Sequence, residues 1–90
     1  MSSTYVVSYD LKAPGKDYSE LIEYLQSLED WWHGLGSTWV VVTSMTARQL
    51  RDAIKAHTDS NDRVLVVMSS GVGAWRGLGA SGNEWLQEHL

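Results

Sequence analysis

Helical and extended patterns alternate along this chain, and their order restricts its fold more than any other feature does. Residues 4–10, TYVVSYD, alternate in side-chain character and are rich in Val and Tyr, which is typical of a β-strand. Residues 37–43 and 63–68 are also strongly β-prone. Between these segments, apolar residues recur at helical spacing over residues 18–30 and 46–57. The pattern therefore predicts the order β-α-β-α-β, followed by a short C-terminal helix.

Each predicted helix opens with a residue pair that has the spacing of a capping box. In this motif an N-cap side chain and the side chain three residues later bond to each other's backbone N–H groups. The pairs are Asp17 with Glu20, Thr46 with Gln49, and Ser81 with Glu84. The last pair predicts that the terminal helix, NEWLQEHL, begins after Ser81.

Two architectures fit this order of elements. If WWHGL, residues 31–35, forms a short strand that turns at residues 36–37 and pairs with residues 38–43, the chain is a ferredoxin-like plait, βαββαβ. Otherwise three parallel strands and their crossover helices form a small α/β layer with two bare edges. We predict the α+β plait with a short C-terminal helix, as a single domain over residues 1–90, because it leaves less edge unpaired. A sheet this small is also expected to dimerise.

The predicted core follows from the helical stripes and from the last strand. Residues 63–68 are almost entirely apolar, which predicts a strand in the centre of its sheet. The expected core residues are Leu21, Ile22, Leu25, Leu28, Leu50, Ile54 and the four residues from Val64 to Val67.

Composition excludes several classes of protein. The chain has no Cys, so disulfides, thiolate zinc sites and cysteine nucleophiles are ruled out. His33, His57 and His89 lie on separate predicted elements, so we expect no zinc site. Neither a membrane-spanning segment nor a signal peptide is apparent, and a cytoplasmic location is expected. The net charge of -4 disfavours a general electrostatic attraction to nucleic acid.

Tryptophan is concentrated in residues 30–39, DWWHGLGSTW, of a chain that lacks Phe. Trp31 and Trp32 are adjacent, so their side chains cannot face the same way. We expect one of them in the core, together with Trp39, and the other partly exposed near His33. An exposed indole beside a cationic group suits stacking on a nucleobase.

A glycine-rich loop over residues 71–82 is the second candidate for binding. Its G-x-G-x-x-G pattern is formed by Gly77, Gly79 and Gly82. No acidic residue follows about 20 positions later, so the pattern is not a dinucleotide-binding fingerprint. Trp75 and Arg76 nevertheless offer a flat apolar face and a cation, and the amides near Ser81 would favour an anion. The alternative is a loop that only connects two elements.

A basic stripe is expected on the second helix. Arg48, Arg51 and Lys55 lie three and four residues apart, and Asp52 neutralises part of the stripe. The stripe is either a solvated helix face or a set of phosphate contacts.

Three stretches of the chain resemble the SinR-like small proteins: YVVSYDL, WWHGLGSTWVVVT, and TARQLRDAI followed by NDRVLVV. Those proteins in turn look like the compact ferredoxin-fold subunit of the CRISPR spacer-integration machinery. The resemblance implies a homodimer in which the Asp that ends the first strand, Asp10 here, contributes to a metal site from each subunit. Read from the sequence alone, Asp10 is also a residue type that forms turns.

The sequence thus predicts a non-catalytic module that binds a small phosphorylated, nucleotide-type ligand or a short single-stranded nucleic acid. Trp75 and one of Trp31 or Trp32 would stack on the base, while Arg76 and the loop amides would hold phosphate. No cofactor is expected for this function. One alternative is a homodimeric nuclease that uses Mg²⁺ at Asp10 of each subunit. A second alternative is a protein–protein interaction module.

Overall fold

A computed structural model describes residues 1–11 and 18–90 of the chain. Its elements, in chain order, are β1 (Ser3–Asp10), α1 (Ser19–Gln26), β2 (Asp30–Leu35), β3 (Thr38–Thr43), α2 (Ala47–Lys55), β4 (Arg63–Met68) and α3 (Gly79–His89). The predicted cap at Asp17 lies outside the described residues. None of the helices found in the described part is long and apolar enough to cross a membrane.

The four strands form one antiparallel sheet in the order β2-β3-β1-β4. The segment WWHGL is part of β2, which turns at residues 36–37 and pairs with β3, as predicted. Three parallel strands are therefore ruled out. The protein is a small α+β fold with a four-stranded antiparallel sheet and three helices, which is consistent with a ferredoxin-like fold.

One face of the sheet carries the main core under α1 and α2. The strand alternation in β1 turns Tyr5 and Val7 towards these helices, and β3 adds Trp39 and Val41 on the same face. The helices contribute Leu21, Leu25, Leu50 and Ile54, all of which are buried. Each such aliphatic side chain stabilises the fold by about 1.5–3 kcal/mol relative to an exposed one. Tyr5 is satisfied at its polar end, because its hydroxyl donates to the carbonyl of Met45 at 2.7 Å.

The opposite face is only partly covered. Helix α3 lies over the β2 side of this face, where the Trp85 indole N–H donates to Asp30 at 3.1 Å and Gly82 packs against Trp32. Towards β4 the same face is open, and Leu65 and Val67 are 61% and 49% exposed.

The predicted central position of β4 is wrong, and so is the predicted burial of Leu65, Val67 and Ile22. β4 is an edge strand rather than a central one, since it pairs with β1 only. Its alternate residues Leu65 and Val67 point to the face that α3 leaves open. Ile22 is 39% exposed, because Leu21 and Leu25 already present the buried stripe of α1.

The helix boundaries also differ in part from the sequence patterns. The capping box of α2 is confirmed: Thr46 Oγ1 accepts from the Gln49 amide at 3.1 Å, and Gln49 Oε1 accepts from the Thr46 amide at 2.9 Å. The predicted cap at Ser81 is wrong, because α3 begins earlier, at Gly79. Helix α1 ends at Gln26 rather than near residue 30, because β2 begins at Asp30.

Candidate functional site

The tryptophans of β2 and β3 are divided between the two faces of the sheet. Trp31 pairs with Val41 and lies on the face of α1 and α2, where its ring is 5.4 Å from that of Trp39. Trp39 is completely buried, as predicted, and His33 stacks on it at 3.9 Å with an interplanar angle of 12°. Trp31 is 37% exposed. His33 and Trp31 therefore cover a core indole on the side of the sheet away from α3.

Trp32 lies on the α3 face instead. A Cβ atom on Gly34 would overlap the Trp32 ring, and one on Gly82 would come within 3.0 Å of its indole nitrogen. The half-buried indole is thus held between a glycine of its own strand and a glycine of α3. Because both contacts need a residue without a side chain, Trp32 fixes how closely α3 approaches the sheet.

Trp75 stands beside the N-terminal part of α3. Its indole N–H donates to Asn83 Oδ1 at 2.9 Å, and the residue is half-buried. The neighbouring Arg76 is exposed, and no acceptor among the described residues bonds to its guanidinium group. Gly77 and Gly79 adopt positive φ angles of 80° and 78°, which only glycine tolerates readily, and these angles turn the chain into the helix.

The first turn of α3 has no side-chain cap within the described residues. Leu78 occupies the N-cap position and cannot accept a hydrogen bond through its side chain. Gly79 and Ser81 lie in this first turn, where backbone N–H groups lack partners inside the helix. The uncapped amides therefore follow Trp75 and Arg76 closely in sequence, and they begin two residues before Ser81.

The basic stripe of α2 lies far from these residues, on the other face of the sheet. Arg51 donates to Asp52 Oδ1 through Nε at 3.0 Å and through a terminal nitrogen at 2.7 Å. Arg51 and Lys55 line a cleft of about 570 Å³ that also includes Asp59 and Asp62. The sequence did not reveal this cleft, because the segment after α2 reads only as a polar turn.

Asp10 is exposed at the end of β1, opposite Arg63 of β4. In the part of the chain that the structure describes, no three His, Asp or Glu side chains are grouped as metal ligands.

A polar cluster that the sequence did not predict fastens α3 to β2. Asp30 Oδ1 accepts from the Trp85 indole at 3.1 Å and from the Trp31 amide at 2.8 Å. His89 Nε2 lies 3.1 Å from Asp30 Oδ2, and the His89 ring stacks on Trp85 at 4.1 Å. The only sequence signal was a carboxylate directly before two tryptophans.

A second contact joins α1 to the residues on either side of α2. Burial raises the pKa of the Tyr24 hydroxyl above its ordinary value. The ring of Tyr24 stacks on His57 with centroids 5.1 Å apart, and its hydroxyl donates to the Met45 sulfur at 3.8 Å. The neutral phenol fits this half-buried position, so the contact is structural.

The structure brings together one set of the predicted residues and separates the others. Around the start of α3 lie Trp32, Trp75, Arg76, Gly77, Gly79, Ser81 and Gly82. Trp31 and His33 lie on the other side of the sheet, as do the cations of α2. Of the two adjacent tryptophans, only Trp32 is therefore on the same side as Trp75. The chain matches no protein-family model, no curated protein and no solved structure.

Proposed function

We propose that this protein is a non-catalytic module that binds a nucleotide-type ligand at the start of α3, with Trp75 stacking on the base and Arg76 contacting the phosphate. One observation carries the proposal. The edge of the Trp75 indole is held by Asn83 while the residue stays partly exposed, and the next residue, Arg76, has a guanidinium group with no partner among the described residues.

The energies of these contacts are sufficient for a modest affinity. Stacking of one base on an aromatic side chain contributes about 1–3 kcal/mol. An indole that is already held in place loses little conformational entropy when a base stacks on it. Arg76 would add a charge-assisted hydrogen bond to phosphate, and the uncapped amides of α3 would favour the same charge.

The size of the ligand is limited by charge. The chain has a net charge of -4. Among the described residues, the Lys or Arg nearest to Arg76 along the chain is Arg63 of β4. A long polyanion would be repelled, whereas a ligand with one or two phosphates would need only the one guanidinium. A mononucleotide and a short single strand share this chemistry, and the experiment below distinguishes them.

The test measures the binding of adenosine monophosphate, inorganic phosphate and a five-residue oligothymidylate by isothermal titration calorimetry. Trp75→Ala and Arg76→Ala should each weaken nucleotide binding about tenfold or more, because each removes one principal contact. The melting temperature should stay nearly unchanged, since neither residue is in the core. Val72→Ala, an exposed substitution in the same segment, is the matched control.

Three outcomes have different meanings. Binding of the nucleotide but not of phosphate supports stacking on the base. Tighter binding of the oligothymidylate than of adenosine monophosphate identifies a short single strand as the ligand. Unchanged affinity in both variants, or loss of binding in Trp31→Ala instead, would contradict a site at the start of α3.

We further propose that the protein has the ferredoxin-like plait and pairs as a homodimer. The strand order β2-β3-β1-β4 supports the plait. Leu65 and Val67 support the dimer, because the open part of the sheet face exposes them beside the half-buried Val6. Two copies that bring these patches together would bury apolar surface that the single chain leaves in water. The relationship to SinR-like proteins and the cytoplasmic location stay predictions from the sequence.

A further inference from the structure

A basic groove runs between α2 and the outer edge of β4. A cavity of about 280 Å³ is lined by Arg48, Arg51, Val64 and Val66, and it adjoins the 570 Å³ cleft through the shared residues Arg51 and Val64. Arg48 lies with Val66 at one end of the groove, and Lys55 lies with Val64 at the other. Helix α2 therefore runs alongside β4 in the opposite direction.

The floor of this groove is a free strand edge. The Ser69 amide donates to the Thr4 carbonyl at 2.8 Å, so Thr4 and Ser69 form a hydrogen-bonded pair of the antiparallel ladder. Such pairs recur at every second residue, so the residues of β4 that bond to β1 are 63, 65 and 67. Val64, Val66 and Met68 consequently direct their N–H and C=O groups outwards. Within the described residues, no strand pairs with that edge.

The α2 wall of the groove is positively charged, while Asp59 and Asp62 line the groove at its Lys55 end. Three of the five Lys and Arg side chains in the described part of the chain line it: Arg48, Arg51 and Lys55. At a rise of 1.5 Å per residue, Arg48 and Arg51 are about 4.5 Å apart along the helix axis, and Arg51 and Lys55 are about 6 Å apart. Alternate side chains of a strand are about 6.8 Å apart, so successive side chains on one face of an added strand could each reach one cation.

We propose that an extended acidic peptide segment of a partner protein binds in this groove by adding a strand to the free edge of β4. The backbone N–H and C=O groups of the peptide would bond to the outward groups of Val64 and Val66. Asp or Glu at every second position would face the cations of α2. The intervening positions would lie beside Leu65 and Val67, which are exposed and apolar, so the segment alternates between acidic and aliphatic residues.

A peptide fits the groove better than a single-stranded nucleic acid does. The side chains that line the two cavities include no aromatic residue on which a base could stack. Backbone amides and carbonyls on a strand edge match another peptide backbone, and main-chain bonding of this kind is a common mode of peptide recognition.

The probe is an acetylated and amidated heptapeptide, Glu-Val-Glu-Val-Glu-Val-Glu, titrated into the full chain by calorimetry and by amide NMR. We expect one peptide per chain, with the largest amide shifts at Val64, Val66 and Met68. N-methylation of the peptide at one set of alternate residues should weaken binding tenfold or more. N-methylation of the other set should change it less than twofold, because in an added strand only every second amide bonds to β4.

Charge variants of the protein provide an independent test. Arg48→Gln combined with Lys55→Gln should weaken binding at least fivefold, and a Lys-Val peptide of the same length should not bind. Asp52→Asn should strengthen binding about two- to threefold, because it removes the carboxylate that now pairs with Arg51. Gln87→Glu is the control, since it also makes the chain more negative but lies on α3.

Several results would overturn the proposal. Equal effects of both N-methylation sets would exclude strand addition. Displacement of the peptide by an oligothymidylate that binds more tightly would identify nucleic acid as the occupant. Slow hydrogen exchange of the outward β4 amides in the protein alone, lost on dilution, would show that a second copy of this chain occupies the edge.

Discussion

At the scale of single residues, Gly34 shows how closely the second face of the sheet is packed. A Cβ atom at this position would overlap the Trp32 ring, whereas a Cβ at Gly36 would have no atom within 4 Å. Gly34→Ala should therefore lower the free energy of unfolding by about 1–3 kcal/mol, because the indole has to leave its position. Gly36→Ala should change it by less than about 0.5 kcal/mol. Urea denaturation measures both, and equal effects would contradict the packing.

Residue periodicity predicted some of these positions and missed others. Leu21, Leu25, Leu50 and Ile54 are buried as their helical spacing predicts. The sheet faces on which Trp31 and Trp32 lie could not be assigned from the sequence, because their adjacency shows only that the two side chains point to opposite faces. Which one meets α3 depends on the register between β2 and β3, and that register is set by the whole hairpin.

At the scale of elements, polar contacts around Asp30 link α3 to the sheet beside the packing of Gly82 on Trp32. Asp30→Ala would leave the Trp85 indole N–H without its acceptor and His89 without its carboxylate. We expect a loss of about 1–3 kcal/mol in stability. Hydrogen exchange measured by mass spectrometry should accelerate over residues 79–89 more than in α1 or α2.

The matched control for this change is Asp52→Ala. Asp52 pairs with Arg51 on the surface, and both side chains are about half exposed. Such pairs contribute little, so hydrogen exchange in α3 should stay as in the unchanged protein. Equal acceleration across all helices in Asp30→Ala would mean that Asp30 supports the whole fold rather than the docking of α3.

The elements themselves were largely predictable, and their ends were less so. Thr46 and Gln49 predicted the start of α2 because the capping box depends only on neighbours in sequence. The start of α3 depends on a distant contact, since Gly82 has to lie against Trp32 of β2. A long-range contact of this kind leaves no local pattern, so Ser81 looked like a cap although it lies inside the helix.

At the scale of the whole molecule, the open part of the sheet face bears on self-association. Sedimentation velocity at high micromolar concentration should show a dimer. Leu65→Lys combined with Val67→Lys should convert it to a monomer, because two charges would then oppose their copies across the interface. Ile22→Lys, on the exposed side of α1, is the control and should leave the dimer intact. A monomer at every concentration would contradict the proposed dimer.

The position of β4 at the edge of the sheet was the largest error at this scale. A run of apolar residues is typical of a strand covered on both faces, and RVLVVM has that composition. Composition alone does not show which face another element covers, however. Because α3 covers only the β2 side, the residues of β4 that looked most buried are those that a partner can reach.

The distribution of the five tryptophans has an optical consequence. Trp39 is sealed from water and bonded through its indole N–H to the Tyr9 hydroxyl at 2.9 Å, whereas Trp31 is 37% exposed. An indole in an apolar site emits at shorter wavelength than one in water, and soluble quenchers reach only the exposed one. Heating should therefore shift the emission of Trp39 as the core opens, while iodide should quench Trp31 first. One unlabelled chain thus reports on its core and on its surface through separate parts of the same spectrum.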